Sequence, residues 1–372
     1  MNIVMNAVLA HENPRGVGRY INNLLPALAE LDHDNQYYIY YGTWMKNYKF
    51  LKVNQPNFHF LPLDIRNNQI SRNLYLAIVL PYICRKYRPD IFFLIDTQAI
   101  LMKPCPVLST IHDLAEFEVP EKYSMLQACL RKVIVRHQIR ISNKIITVSD
   151  YSRQSIYDRF RTEKGKVKVI YNSVESKPNS LPKYEPENYF LFVGETERAK
   201  NFGALLAAFE MLPVKIQEKY HMIVVGKKGN DHENILAKIR GTHLEHKVHF
   251  KGYVDDNELM ELYAKAYAFV FPSLFEGFGL PVLEAMAYGV PVLCSNTSSI
   301  PEVGGDAVLT FSPYNPAELC SQMKKLISDP SLRNVMIQKG LERSRLFTRE
   351  KAAQETIHSF NEIYETHKKS LY

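Results

Sequence analysis

Cysteine is scarce in this chain of 372 residues, and its five copies lie far apart. No pair has the C-x-x-C spacing of a metal or redox site, and an odd number cannot pair completely into disulfides. The sequence therefore predicts neither a disulfide framework nor a zinc site, and it favours a reducing cytoplasmic compartment. The cysteines are Cys84, Cys105, Cys129, Cys294 and Cys320.

Long apolar runs are also missing. The run from Leu74 to Ile83 reaches only about half of the roughly 18 residues that a membrane-spanning helix needs. The amino terminus begins with a strand-like segment, Asn2 to Ala7, and lacks the charged, apolar and small-residue order of a signal peptide. We expect a cytoplasmic chain that does not cross a bilayer.

Acidic residues are too few to balance the basic ones near the amino terminus. Residues 1–175 contain 23 Lys and Arg against 15 Asp and Glu. The net charge of the whole chain is +7, so its positive excess lies entirely in these residues. Several of these basic residues share a predicted helix, 130–144, with apolar ones, which indicates either a solvated surface helix or a peripheral contact with anionic membrane. No aromatic residues are interleaved with these basic residues as stacking platforms, so nucleic acid is not an expected partner. The basic members are Arg131, Lys132, Arg136, His137, Arg140 and Lys144, and the apolar members are Leu130, Val133, Ile134, Val135, Ile139 and Ile141.

The order of the segments predicts two α/β domains. Short β-branched or aromatic runs alternate with helical stretches, which is typical of parallel sheets covered by helices. A proline-containing stretch without periodicity, Ser173 to Asn188, is the best candidate linker. It separates domains 1–175 and 176–350, each long enough to bury its own core. Strands are expected at 2–7, 36–41, 57–63, 90–95, 107–112, 144–149 and 167–171, and then at 189–193, 222–226, 248–252, 269–272, 290–295 and 307–310.

The segment with the clearest chemistry lies between Glu276 and Glu284. Its glycines allow the backbone to approach a ligand closely, and Pro281 suits the first turn of a helix whose N–H groups can bind an anion. Glu276 can accept hydrogen bonds from sugar hydroxyls, and Glu284 can accept both hydroxyls of a diol such as ribose. Two carboxylates beside a phosphate cradle indicate a nucleotide sugar, although an ordinary loop with solvated glutamates has the same composition. The cradle comprises Gly277, Phe278, Gly279 and Leu280.

The stretch from Val270 to Val308 strengthens this interpretation. It contains Phe271-Pro272-Ser273, Glu276 to Pro281, Glu284 to Ala287 and Gly289 to Val292. This pattern resembles the donor-binding signature of retaining glycosyltransferases of family 4, which have the GT-B fold. The resemblance implies two Rossmann-like domains that face each other across a cleft, with the final helix, about 351–372, returning to the amino-terminal domain.

The resemblance also implies roles for residues in the first domain. Thr110-Ile111-His112-Asp113 ends a predicted strand, and His112 is expected to contact the transferred sugar while Asp113 organises the loop. Without the resemblance, a hydrogen-bonded structural histidine is the more common outcome. Gly16 and Gly18, after the first strand, are expected to face the donor phosphate and the acceptor. They do not form a dinucleotide fingerprint, because the third glycine and the acidic residue after the second strand are missing.

In the second domain, Lys200 precedes a helix, where a positive charge opposes the helix dipole and is better explained by an anionic ligand. We expect Lys200 to bind the diphosphate. The family commonly has arginines at the positions of Glu195 and Ala199, and Arg198 is a candidate substitute. This departure puts either the strength of phosphate binding or the donor in question. The resemblance places Tyr253 and Val254 near the base.

The expected chemistry is hexosyl transfer from a nucleotide-diphosphate sugar. N–H groups at the cradle and Lys200 stabilise the charge that develops on the leaving diphosphate, while Glu276 orients the sugar. His112, Glu276 and Lys200 are thus the candidate catalytic residues, and the resemblance implies retention of configuration. No cofactor or metal is expected. The Asp32-His33-Asp34 sequence has the Asp-x-Asp form of a metal site, but its polar surroundings between a helix and a strand favour a turn.

Two other functions remain open at this point. A nucleotide-sugar epimerase would have the same architecture and need no acceptor, and a non-catalytic sugar-nucleotide-binding protein would keep only the cradle. Within the transferase interpretation, the donor is either GDP-mannose or a UDP-hexose. The preference for mannose rests on resemblance alone. The acceptor would be a glycan or a lipid-linked saccharide of bacterial surface polysaccharide synthesis. The acceptor-side segment from Thr43 to Arg88 has no recognisable motif.

Overall fold

The computed structural model describes residues 1–9, 11–14, 16–98, 100–174 and 184–369. The central part of the expected linker, residues 175–183, therefore lies outside the described residues. The chain divides into two compact units. The first contains the described residues up to Val174 and those from Phe347 onward, and the second contains the described residues from Tyr184 to Leu346.

The first unit contains a parallel sheet of seven strands in the order β3-β2-β1-β4-β5-β6-β7. The β-branched and aromatic runs of the sequence form these strands because both faces of the sheet are covered by helices. The strands are β1 Asn2–Asn6, β2 Gln36–Gly42, β3 Phe58–Leu63, β4 Ile91–Leu94, β5 Val107–Ile111, β6 Lys144–Thr147 and β7 Val167–Val169. The helices are α1 Val17–Leu31, α2 Gln69–Leu74, α3 Leu80–Ile83, α4 Ala115–Glu118, α5 Met125–Ile141, α6 Asp150–Phe160 and α15 Arg349–Lys369.

Helix α15 packs in the first unit although it is the last element of the chain. Its Ala353 and Phe360 are fully buried in a core formed with Ile21 and Leu25 of α1 and with Ile3 of β1. Helices α1 and α15 thus cover one face of the sheet. The opposite face is covered by helices that precede β4 and β6.

That opposite face contains two apolar clusters. Helix α2 continues through a π-helical turn, Tyr75–Val79, into α3 and a 3₁₀ turn, Cys84–Tyr87, so that residues 69–87 are almost continuously helical. This segment packs with Val107, and α5 packs with Ile111. Val107 and Ile111 lie on the same side of β5, because side chains alternate along a strand. The two helical segments therefore cover the same face.

The second unit contains a parallel sheet of six strands in the order β10-β9-β8-β11-β12-β13. The strands are β8 Tyr189–Val193, β9 His221–Val225, β10 Val248–Gly252, β11 Ala268–Phe271, β12 Val292–Ser295 and β13 Val308–Phe311. The helices are α7 Phe202–Glu210, α8 Val214–Lys219, α9 His232–Ile239, α10 Asp256–Lys265, α11 Leu280–Ala287, α12 Ile300–Gly304, α13 Pro316–Ser328 and α14 Pro330–Ser344. Every strand expected from the sequence is present, with ends that differ by at most two residues.

The basic helix begins at Met125, earlier than expected, and ends at Ile141, so Lys144 lies in β6 instead.

The Asp32 carboxylate is used within a turn: Oδ1 accepts hydrogen bonds from the N–H groups of Asp34 and Asn35, and Oδ2 accepts one from the Tyr37 hydroxyl at 2.6 Å. Burial opposes its charge, but the hydrogen bonds outweigh burial and lower the pKa of Asp32.

Candidate functional site

The sheet of the second unit reverses its strand order between β8 and β11, because β9 and β10 lie on one side and β12 and β13 on the other. In open parallel sheets the loops that leave such a switch point diverge, and ligands bind at the carboxyl ends of the strands there. The loop after β8 carries Lys200, and the loop after β11 carries Glu276. The fold thus brings together two residues that are far apart in the sequence.

Lys200 and Glu276 form an ion pair across this switch point. Lys200 Nζ lies 2.5 Å from Glu276 Oε1, and the side chains are 20% and 14% exposed. Ser273 Oγ also donates to Oε1, at 2.6 Å. Both bonds end on Oε1, so Oε2 has no hydrogen-bond partner among the described residues. A charged pair with so little exposure loses hydration and contributes little stability.

The loop that carries Glu276 is held in place by its backbone. The N–H group of Glu276 donates to Ser298 Oγ at 3.0 Å, and its carbonyl oxygen accepts from Ser299 Oγ at 2.8 Å. Both serines follow β12. The carboxylate therefore has a defined position before any ligand arrives, as electrostatic stabilisation of a transition state requires.

Helix α11 starts directly after this loop. Gly279 has a φ of 101°, a conformation that residues with a Cβ rarely adopt, and Pro281 lies in the first helical turn. The first N–H groups of a helix have no partner within it and bind anions well. Phe278 is 4% exposed and lies beside this start. The sequence placed Gly277, Gly279 and Leu280 at an anion cradle, and the structure places them at the beginning of a helix.

Glu284 lies inside an otherwise apolar helix. It is 6% exposed, and Val282 to Ala287 are all buried. The Tyr263 hydroxyl donates to Glu284 Oε2 at 3.0 Å, and the Tyr263 ring stacks on Tyr288. A buried carboxylate is costly unless it is hydrogen-bonded. Tyr263, on α10, was not identified from the sequence, because nothing near it indicates a contact with Glu284. Ser273 belonged to the motif, but the sequence indicated no role for it.

The backbone ends of three neighbouring strands also meet at this edge. The Gly194 N–H group donates to the Val225 carbonyl oxygen, and the Gly226 N–H group donates to the Gly252 carbonyl oxygen, both at 2.8 Å. A Cβ on Gly226 would lie 2.1 Å from the Gly194 oxygen. Glycine at position 226 therefore sets the position of the loop that leads to Lys200.

This close approach yields a prediction for Gly226→Ala. The added methyl group must displace Gly194, and we expect weaker binding of nucleotide sugar by about tenfold in addition to a lower melting temperature. Gly241→Ala is the matched control, since Gly241 also has a positive φ but has no atom within 4 Å of its Cβ position. Backbone strain alone costs about 1–2 kcal/mol. Equal losses of affinity in the two variants, measured by calorimetry, would contradict this role.

The remaining expected residues of the second unit lie around the same edge. Arg198 is exposed at the start of a 3₁₀ turn, Arg198–Lys200, and its N–H group donates to Asn230 Oδ1 at 3.0 Å. Tyr253 and Val254 follow β10, with Tyr253 49% exposed and Val254 buried. Their assigned contacts with a substrate remain predictions.

In the first unit, His112 follows β5 at the carboxyl edge of the sheet. Its Nε2 lies 3.0 Å from the Ile95 carbonyl oxygen, which can only accept, so Nε2 carries a proton. The Tyr20 ring meets His112 edge-on at 4.9 Å, and burial raises the pKa of Tyr20 to about 12. Asp113 Oδ1 accepts the Ala115 N–H group, so Asp113 organises the loop as expected. Because Nε2 makes this structural hydrogen bond, the other polar atom of the His112 ring is Nδ1.

Gly16 and Gly18 lie at the start of α1. Gly16 is exposed with a φ of 44°, whereas Gly18 is buried. A Cβ on Gly18 would lie 3.0 Å from the Tyr48 hydroxyl. Packing against Tyr48 is therefore a sufficient reason for glycine at position 18, and the contacts of Gly16 and Gly18 with substrate remain predictions.

Residues 173–343 match the family model of glycosyl transferases group 1, and residues 14–177 match the model of glycosyltransferase family 4. The O-antigen chain mannosyltransferase B of Escherichia coli is 33% identical over 265 residues, which cover 68% of this chain and 69% of the relative. The O-antigen chain mannosyltransferase RfbU of Salmonella typhimurium is 32% identical over 217 residues, which cover 58% of this chain and 60% of the relative.

Solved structures support the fold. A sucrose-phosphate synthase from Thermosynechococcus elongatus has a TM-score of 0.76 at 19% identity, with 98% of this chain and 99% of that chain covered. WaaG, described as a glycosyltransferase involved in lipopolysaccharide biosynthesis, has a TM-score of 0.70 at 18% identity, with 94% of this chain and 98% of that chain covered. At these identities, the likeness concerns the GT-B fold alone, as the sequence predicted.

Proposed function

Since the chain belongs to the glycosyl transferases group 1 and is a hexosyltransferase, we propose that it moves mannose from GDP-mannose to a growing, lipid-linked O-antigen chain. The names of the two curated relatives support the sugar and the acceptor. The observation that carries the chemistry is the Lys200–Glu276 pair at the switch point of the second unit. Mannose is thereby preferred over the UDP-hexoses that the sequence left open.

In the proposed reaction Lys200 leaves its ion pair with Glu276 and binds the donor diphosphate. Departure of the leaving group puts negative charge on the diphosphate, and the Lys200 ammonium and the N–H groups at the start of α11 stabilise it. Glu276, released from its ion pair, accepts hydrogen bonds from the sugar hydroxyls. Glu284 accepts the ribose hydroxyls, and His112 Nδ1 accepts a hydroxyl of the transferred sugar.

We further propose that the product retains the anomeric configuration and that no metal takes part. A positive side chain and a helix amino terminus supply the charge that a divalent ion supplies in other transferases. The acceptor hydroxyl attacks the face from which the diphosphate leaves, and the diphosphate accepts its proton. NMR analysis of the product tests retention, and a rate unchanged by EDTA is the expected result for a reaction without metal.

A panel of donors tests the proposed specificity. A ligand that binds only the folded protein stabilises it by about 2.7 kcal/mol at a hundredfold excess over Kd. For a unit of this size that corresponds to a rise of about 5–10 °C in melting temperature. We expect GDP-mannose to give the largest rise among GDP, UDP, dTDP and ADP sugars. A larger rise with a UDP-hexose would refute the mannose assignment and leave the family unaffected.

The proposed acceptor is lipid-linked, so the enzyme has to meet it at a membrane. None of the helices in the described ranges combines the length and apolar composition that crossing a bilayer requires. Because the proposed acceptor is lipid-linked, we propose peripheral contact with anionic lipid at the inner face of the plasma membrane. The basic helix α5 of the first unit was the sequence's candidate for this contact.

A further inference from the structure

The helical segment 69–87 of the first unit exposes apolar side chains on its outer face. Leu74, Ile78 and Tyr82 are 62%, 47% and 65% exposed, and they are spaced four residues apart. Residues at this spacing lie on one face of a helix. The opposite face packs into the core through Leu76 and Leu80. This outer face is therefore apolar without being part of the core.

Helix α5 has the same property. Leu126, Leu130 and Val133 are 81%, 49% and 55% exposed, whereas Val135 and Ile139 are buried. The sequence grouped Leu130 and Val133 with the buried residues as one apolar side. The structure instead turns these two toward solvent, and Arg131 lies 3.6 Å from the buried carboxylate of Glu116.

One loop makes hydrogen bonds to both helical segments. The Ile100 carbonyl oxygen accepts from His137 Nε2 of α5 at 2.7 Å. The next residue, Leu101, donates its N–H group to the Ala77 carbonyl oxygen at 2.9 Å, and its side chain is 71% exposed. Adjacent residues are only about 3.8 Å apart along the chain, so both helices lie against the same short segment. We define the apolar strip as Leu74, Ile78, Leu101, Leu126, Leu130 and Val133.

Both helices become basic toward their carboxyl ends. Arg85 and Lys86 are exposed at the end of the first, and Arg136 and Arg140 are exposed along the last turns of α5. These ends point the same way, because each helix runs from the carboxyl end of one parallel strand to the amino end of the next. The basic residues of both helices thus border the apolar strip on one side.

An open groove extends this basic border. It has a volume of about 1100 Å³ and lies where β6 and β7 begin. Six of its lining residues are lysine or arginine and three are glutamate, and Lys144 is paired with one of these, Glu362. The groove therefore offers more cationic than anionic groups to a ligand.

We propose that the apolar strip and its basic border form the surface with which the enzyme docks on a bilayer that contains anionic phospholipid. Monomeric proteins rarely expose large contiguous apolar patches without an interaction partner. Apolar side chains enter the boundary of the acyl chains, and Lys and Arg bind the lipid phosphates. The positive excess of residues 1–175 complements such a membrane. This inference rests on the proposed function, since a lipid-linked acceptor is presented at the bilayer.

The position of the strip on the first unit has a functional consequence. Leu74 and Leu126 lie in the parts of the two helices that are nearer the carboxyl edge of the sheet, and His112 lies at that edge. Docking through the strip brings this edge close to the lipid, while the basic border toward the amino edge binds the lipid phosphates. A saccharide on a membrane-bound lipid is then presented to the catalytic edge of the unit.

Co-sedimentation with vesicles tests the docking surface on the full chain. We expect binding to vesicles of phosphatidylcholine with about one third phosphatidylglycerol, weaker binding at high salt, and little binding to phosphatidylcholine alone. The double variant Leu126→Gln, Leu130→Gln should bind at least tenfold more weakly, and so should Arg136→Glu, Arg140→Glu. The matched control is Met211→Gln, Val214→Gln in the second unit, since those apolar side chains are 51% and 69% exposed. The control should bind like the wild type.

Transfer assays separate this inference from the proposed function. The Leu126, Leu130 variant should keep its rate on a water-soluble mannose-terminated oligosaccharide and lose at least tenfold on the same saccharide carried by polyprenyl diphosphate in vesicles. Vesicle binding by an enzyme that transfers no mannose would refute the proposed function and support the docking surface. Equal loss in the control variant, or a dimer in solution that the Leu126, Leu130 variant abolishes, would overturn the docking surface.

Discussion

Glu276→Ala is expected to lower kcat by about 10²- to 10³-fold, the loss typical of removing one preorganised group that stabilises a transition state. Glu276 is held by Ser298 and Ser299 through its backbone, so the loop stays in place when the side chain is shortened. The Kd for GDP should change by less than about threefold, because the carboxylate is assigned to the sugar. Steady-state kinetics and calorimetry measure the two quantities.

Glu276→Gln provides a finer comparison. The amide oxygen still accepts from Ser273, but the negative charge next to Lys200 is gone. We expect activity between that of the wild type and that of the alanine variant. An unchanged melting temperature in both variants shows that folding is intact, and wild-type turnover in Glu276→Ala would refute the assignment.

Lys200→Ala is expected to weaken both the binding of the diphosphate and its departure. A charge-assisted hydrogen bond to phosphate is about twice as strong as a neutral one. We expect GDP to bind at least tenfold more weakly and kcat/KM to fall by about 10²- to 10³-fold. Lys200→Arg should restore only part of the activity, because the planar guanidinium does not place its charge where the ammonium does.

A double-mutant cycle separates the catalytic role of the pair from a structural one. Residues in direct contact give non-additive effects, so the loss in Lys200→Ala, Glu276→Ala should be smaller than the combined losses of the single variants. The Lys265–Glu261 pair is the matched control, since its atoms are also 2.5 Å apart but it lies on α10, away from the switch point. Loss of activity in the Lys265→Ala, Glu261→Ala variant would contradict a specific role for the first pair.

Much of the fold could be predicted because its signals are local. Strands such as Tyr189–Val193 and Val248–Gly252 have the expected bounds, since β-branched and aromatic runs end at glycine or at polar turns. The start of α11 was likewise visible in Gly279 and Pro281, whose backbone preferences are properties of the residues themselves. These features depend on neighbours within a few positions along the chain.

Only part of the site could be predicted, because its contacts join residues that are far apart in the sequence. Glu276 and Lys200 were each identified, but their contact with each other was not, because it depends on β11 lying next to β8 in the sheet although β9 and β10 come between them in the sequence. Tyr263 was missed since no local pattern links it to Glu284. The direction of Leu130 and Val133 was left open by the sequence, because hydrophobicity alone does not tell which face of a helix the core covers.

By itself, then, the sequence determined the alternation of strands and helices, the glycine-rich turn before α11 and the family to which the turn belongs. Only the tertiary structure decided which of these residues meet and which apolar ones remain in contact with water. The division follows from range: backbone preference acts between neighbours in sequence, whereas ion pairs and burial depend on neighbours in space.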